Sequence, residues 1–504
     1  MSEPLQEAEP VASDRDHRTA TRRELLTVGA ALATALLVTP GKASAQLVVR
    51  APTLRPSAPP ATGDALLRLV RRITNGVTEE ELDRAKSMGF RPYLDYHLMP
   101  AAIDDSAVES FVATTYPALT LDGLDLYQQD SNVLFNQLAD STLYRAAFSK
   151  RQLYERMVEF WTDHFNIYFS KVNYLKLIDD REVVRKYALG RFPDMLKASA
   201  HSPAMLEYLD NTRSRNRNVN QNYARELMEL HTLGVDGGYT QTDVEHVTLC
   251  WTGWTIAGRG NFSFDPTGHD FAAKTVLGKA IPASTYGPEG VQDGEKVLDI
   301  LIAHPSTAKF ISTKMIRWLL RYDPPRALVT KVAATFTRTG GDIPSMIRDI
   351  MTPANLLAAP AKYKQPYQLV VSALRATQPT VTSVSAVSTR QLDTLGQVLF
   401  RWEDPDGYPD NVDWWAGTIL QRWNFASFLT GLTTGTLVVN VAPLMQVNTA
   451  AGIAEAINMR AFGSEMPASL KTHLTAYLAA APITASRVRE AFALALSSTT
   501  FQWF

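Results

Sequence analysis

The chain has 504 residues, of which 45% are hydrophobic and 20% charged. That is the balance of an ordinary globular protein, and it excludes a disordered chain, a fibrous repeat and a polytopic membrane protein. Lys and Arg number 50 against 51 Asp and Glu, a net charge of −1, so nothing draws the chain to nucleic acid or an anionic membrane; the one cysteine, Cys250, excludes an internal disulfide framework.

Residues 1–45 read as an address. Thr21-Arg22-Arg23-Glu24-Leu25-Leu26 leads into an apolar run from Leu25 to Val38, Pro40 and Gly41 break it, and Ala43-Ser44-Ala45 forms a small-x-small cleavage site before Gln46. The run is too short for the ~20 residues that cross a bilayer. Paired arginines ahead of it, with Lys42 behind, fit the twin-arginine signal. A general secretory signal and an uncleaved anchor are the alternatives. The expectation is export of a folded protein by the twin-arginine translocase to the periplasm or the outside, with no stable membrane span in the mature chain.

Residues 46–63 form a Pro-rich linker. A helical body is expected over 64–376 and a C-terminal helical part, packed on it, over 390–504. Thr78 and Glu81 make a capping box, and Gly89 stops that helix. Apolar spacing near 3.6 predicts two long helices over 122–165. Further helices are predicted at 180–188, 192–208, 222–233, 241–253, 289–303, 305–321, 325–337, 363–376, 388–400, 415–430, 450–460, 466–480 and 485–497. The only β-like pieces are 254–264 and 435–441. Residues 211–222 and 376–389 read as long loops. The fold class is therefore mainly α: a large multihelical body with one or two short β hairpins.

The densest chemistry lies between 201 and 274. A helix from Tyr223 to Leu233 puts Asn222, Glu226 and Glu229 on one face, at i, i+4 and i+7. Carboxylates three apart on a helix suit metal binding or a split acid/base pair. They repel one another, and Arg225, four before Glu229, is the simplest compensation. His231 lies ~140° from Glu226 and ~200° from Glu229 on an ideal helix, so it meets both only if the helix ends at Gly234. Asp243 follows Thr240 and serves either as a helix-start acid or as a functional group. Asn211, Trp254, His269, Asp270 and Lys274 flank this stretch, and His164 stands on an earlier element. Trp402, Trp414, Trp415, Trp423 and Tyr408 crowd a later one, as a sugar-stacking surface or as core. No G-x-S-x-G, H-E-x-x-H, Walker A or G-x-G-x-x-G is present.

These phrases resemble the DUF1800 family, exported bacterial proteins of unknown function. The resemblance is carried by Phe160-Trp161-x-x-His164-Phe165, Ser202-Pro203-Ala204-Met205-Leu206, Asn222-Tyr223-Ala224-Arg225-Glu226-Leu227 through Gly234-Val235, Gly238-Tyr239-Thr240-Gln241, Thr252-Gly253-Trp254 and His269-Asp270. It covers about 64–430. Two departures stand out: Gln221 replaces a usual glutamate, and Tyr187 a usual histidine. The resemblance implies export and a co-encoded exported partner of the alkaline phosphatase/sulfatase type; it implies no reaction.

Three functions follow as expectations. The first is an exported hydrolase of an extracellular polymer such as a polysaccharide, with Glu226, Glu229 and Asp270 as acid and base. The second is a metal-dependent enzyme or metal carrier using His164, His231 and His269 with the carboxylates, for Zn, Mn or Fe. The third is a non-enzymatic envelope scaffold, in which Arg225 and Lys274 neutralise buried acids. Convergence beside a cleft favours the first two; acids capped in a sealed core favour the third.

Overall fold

The computed structural model describes residues 63–504 together with Pro56 and Ala58. The expected signal peptide and nearly all of the expected linker lie outside the described residues. The protein is mainly α. Among the described residues the strands form three two-stranded antiparallel sheets. No helix among them is long and apolar enough to cross a membrane.

Local signals act as their chemistry dictates. The Thr78 side chain accepts from the Glu81 N–H at 3.2 Å and caps Glu79–Met88, which ends at Gly89 with φ +80°. The 122–165 stretch makes three helices, Gly123–Tyr127, Ser131–Phe148 and Gln152–His164, rather than two. Asp130 is the reason for the first break, because its carboxylate accepts from the N–H groups of Asn132 and Val133 and starts a new helix. The 192–208 stretch likewise splits at extended Ser202, where Pro203 opens a second helix. Within 388–400 the helical residues are Ser388, which ends helix Ser385–Ser388, and Arg390–Thr394, since Gly396 turns the chain at φ +82°. Phe90–His97, Ser106–Thr115, Ile343–Ile350 and Pro353–Ala358 are helices that apolar periodicity alone did not reveal.

The 254–264 piece is a hairpin of β1 (Trp254–Ala257) and β2 (Asn261–Phe264), in which Trp254 pairs with Phe264. A second hairpin, β3 (Lys274–Val276) with β4 (Lys279–Ile281), was not predicted. β6 (Leu437–Val438), within the 435–441 piece, pairs with β5 (Thr380–Val381), which lies inside the 376–389 loop.

Apolar side chains collect into two main cores. One runs from Leu67 to Ala359 and centres on Trp161, Trp251, Trp254 and Phe192. The other gathers the helices after residue 366, with Leu143, Ala146 and Ala147 of Ser131–Phe148 added to it. Helix Pro366–Thr377 is buried at every position. The last residues pair with the segment before that helix, Lys362 and Phe504 exchanging two backbone hydrogen bonds and Lys364 donating to the Gln502 carbonyl. The two cores therefore meet along a seam at 359–368 and 500–504.

Candidate functional site

The predicted helix over 222–233 is present, but its winding changes. Asn222–Glu226 is α-helical and Leu227–Thr232 is a π-helix, closed by the Leu233 N–H bonding to the Met228 carbonyl. The Thr232 hydroxyl donates to the Leu227 carbonyl at 2.7 Å and supports the wider turn. The widened winding buries His231 and leaves Glu226 and Glu229 half exposed. Burial and the neighbouring Glu229 hold the Glu226 carboxyl above the usual range. Glu229 accepts from the Tyr239 hydroxyl at 3.2 Å. Arg225 donates to Gln241 rather than bridging to Glu229, though its charge eases ionisation of Glu226.

The histidines do not converge. His164 Nε2 is 3.2 Å from the His231 carbonyl, and the two rings lie 6.1 Å apart among Phe160, Phe165 and Phe192. Burial and the Lys314 cation push His164 well below the ordinary histidine range and His231 down to about 3. Both are neutral core imidazoles. His269 belongs to another network, its Nδ1 donating to the Thr252 carbonyl at 2.7 Å and its Nε2 3.5 Å from Asp293. Among the described residues no three His, Cys, Asp or Glu side chains come together as a metal-holding group.

Asp270 sits with Lys274, apart from the two glutamates of the π-turn region. Lys274 Nζ lies 3.3 Å from Asp270 and 3.0 Å from Asp293, and both Lys274 and Asp293 are sealed from solvent. These partners hold Asp293 below the usual carboxylate range, against the cost of its burial. Asn211 donates to the carbonyls of Trp251 and Trp254 at 3.2 and 3.1 Å. Trp254 stacks on Trp251 at 5.0 Å, and a side chain on Gly294 would reach within 2.3 Å of its ring. Asp243 closes a capping box with Thr240 and accepts from the Leu277 N–H. Asn222 reaches the Leu209 carbonyl at 3.4 Å. This part of the constellation pairs its charges, while Trp251 Nε1, Trp254 Nε1, His269 Nε2 and Asp293 Oδ1 are buried without a hydrogen-bond partner among the described residues.

A cavity of about 400 Å³ opens elsewhere, at the seam between the two cores. Helix Ala65–Ile73, capped by Asp64, buries Leu67, Leu69, Val70 and Ile73. Arg68, Arg71 and Arg72, at i, i+3 and i+4, share one of its faces and line the cavity. Arg156 and Lys364 bring the basic side chains to five, against one lining carboxylate side chain, Glu465, among the described residues. Arg68 donates to the carbonyls of Leu357 and Ala359, and Arg71 lies 3.3 Å from Glu465. The deeper groups are poorly matched. Arg72 gives one hydrogen bond, to the Pro360 carbonyl, and its Nη1 meets no acceptor. Arg156 Nη1 is 3.5 Å from Glu159, while its Nε and Nη2 meet none. Both guanidinium groups rest over the Phe504 ring at 5.1 Å.

Burial lowers Arg72 to about 9 and raises Glu159 to about 7, so near neutrality Glu159 offsets Arg156 only in part. Behind Arg156 is a void of about 30 Å³ lined by Glu155, Glu159 and Asp163, which follow one another at four-residue steps, and by Thr142. It has room for about one water. Gln368 lines the larger cavity and donates to Glu159 at 3.1 Å, so the two spaces share a wall.

A family model for DUF1800, proteins of unknown function, matches residues 68–503. The chain belongs to the DUF1800 family. No curated protein and no solved structure matches it. The match takes in the cavity as well as the 201–274 constellation. The cavity residues that sequence reasoning missed in this DUF1800 protein did leave a trace. Three arginines spaced i, i+3, i+4 on one short helix repel one another, and that is a cost worth a few tenths of a kcal/mol per pair that calls for a partner. The contributions of Arg156 and Lys364 left no such trace, because they arrive from 84 or more residues away along the chain.

Proposed function

We propose that this DUF1800 protein binds a small organic anion in the cavity between its two cores. One observation carries the reading: four arginines and the Lys364 amine face the space, and among the described residues Glu465 is the one carboxylate side chain that lines it. Buried charge is costly unless it is paired, and an arginine fork matches carboxylate, phosphate or sulfate. A volume of about 400 Å³ lies within the range of small-molecule sites. With the twin-arginine pattern at Arg22 and Arg23, the reading places this binding outside the cytoplasm.

Isothermal titration at low salt against phosphate, sulfate, citrate and aromatic carboxylates tests it. At least one should bind with Kd of about 1–100 µM, weaken with salt, and weaken about tenfold or more in Arg72→Gln. Binding no tighter than millimolar across the panel overturns the reading.

Acid–base hydrolysis at Glu226 and Glu229 is a second reading, favoured by the raised Glu226 carboxyl and by exposed Trp414 on the short helix Val412–Trp415. Polysaccharide turnover lost in Glu226→Gln, with folding intact, would support it. Turnover unchanged in that variant would remove it.

A further inference from the structure

Two lysines two residues apart are buried in different ways. Lys362 is 2% exposed, and its ammonium donates to the carbonyls of Arg317 and Trp318 and to Asp410, at 2.6, 3.1 and 2.7 Å. Lys364 is 6% exposed, lines the cavity, and its Nζ has no hydrogen-bond acceptor among the described residues; it lies 3.9 Å over the Phe501 ring. Burial alone does not strip a lysine of partners here, since the same short segment satisfies one and leaves the other bare. Backbone pairing with Gln502 and the Arg422 bond to the Lys364 carbonyl fix the main chain at this point.

We propose that Lys364 is a nucleophilic amine that forms an imine with a carbonyl-bearing anion, such as a 2-oxo acid or a phosphorylated aldehyde, held in this cavity. The proposal rests on the anion-binding reading above. The arginines would draw and orient the anionic end, and the apolar wall around Phe501 would exclude water from the carbon under attack. Burial and the neighbouring charges of Arg71, Arg422 and Arg156 push the amine well below the ordinary lysine range. A lysine desolvated beside other cations is the arrangement that exposes a free lone pair near neutral pH. The Nζ lone pair forms the N–C bond while the carbonyl π electrons move to oxygen, giving a carbinolamine. That oxygen then leaves as water, carrying both N–H hydrogens of the amine, and C=N remains. No oxidant or reductant takes part.

The test treats the full chain with pyridoxal 5′-phosphate near pH 7, traps imines with borohydride, and maps modified peptides over time. Lys364 should be labelled about tenfold faster than surface lysines, and inorganic phosphate should slow it. Lys364→Arg should lose that label. Labelling of Lys364 no faster than of surface lysines overturns the proposal. If calorimetry shows phosphate bound while Lys364 stays unlabelled, only the imine fails. If phosphate neither binds nor protects and Lys364 stays unlabelled, both fail. Fast labelling without protection keeps the amine chemistry and removes the anion site.

Discussion

Lys274 and Lys364 are both buried lysines, and they have opposite surroundings. Lys274 sits between Asp270 and Asp293, with His269 beyond, in a sealed part of the first core. Lys364 sits among Arg71, Arg156 and Arg422, beside a cavity, with no acceptor for its Nζ among the described residues. The first arrangement is matched in charge, Lys274 facing both Asp270 and Asp293. The second is incomplete. The contrast teaches that density of polar residues in a sequence marks chemistry poorly. Whether their charges cancel in space marks it better.

Breaking the complete cluster should have the largest effect. Asp293→Ala leaves Lys274 buried with the partly exposed Asp270 alone, and should cost about 3–5 kcal/mol in denaturant unfolding while phosphate binding is kept. A loss under 1 kcal/mol would mean the pair is not what holds this region. Acid comes next. A histidine held below its unfolded value binds protons more readily unfolded, so its contribution is full above about pH 6.5 and is lost as pH falls toward its folded value, about 3 for His231. Lowering pH from 6.5 to 5 should remove about 2 kcal/mol for that residue. Glu159, raised to about 7, works in the opposite sense, stabilising as pH falls from about 7 toward 4.5. The difference between wild type and His231→Phe across this window isolates the histidine, and parallel pH curves would refute its role.

Opening the incomplete cluster should behave in reverse. Lys364→Met replaces a buried amine whose protonation burial and the neighbouring arginines disfavour, so stability should hold or rise by about 1 kcal/mol while phosphate affinity changes less than about threefold. A clear loss of stability would show that Lys364 has a partner the comparison denies it. Glu226→Gln should be smallest. It relieves repulsion from Glu229 on a half-exposed turn, worth a few tenths of a kcal/mol in thermal unfolding, and leaves phosphate binding alone.

Parts of the fold were legible residue by residue. Thr78 and Gly89 bound one helix, and Thr240 caps another, because caps use atoms within a few residues of each other. The π-turn at Leu227–Thr232 was not legible, since an ideal helix was assumed and the widening depends on burying His231 among distant phenylalanines. The spacing predicts Glu226 and Glu229 on one helix face, and both are half buried, yet spacing says nothing of what stands opposite them.

The sequence by itself determined a mainly α chain, its family, the starts and stops of many helices, and which residues could carry charge into the interior. The tertiary structure alone decided which of those charges are cancelled. Asp293 reaches Lys274 across 19 positions, and Arg72, Arg156 and Lys364 come to one cavity from segments 84 and 208 residues apart. Local propensity acts over one or two helical turns, whereas a charge takes its character from whatever the packed core brings within a few ångströms of it.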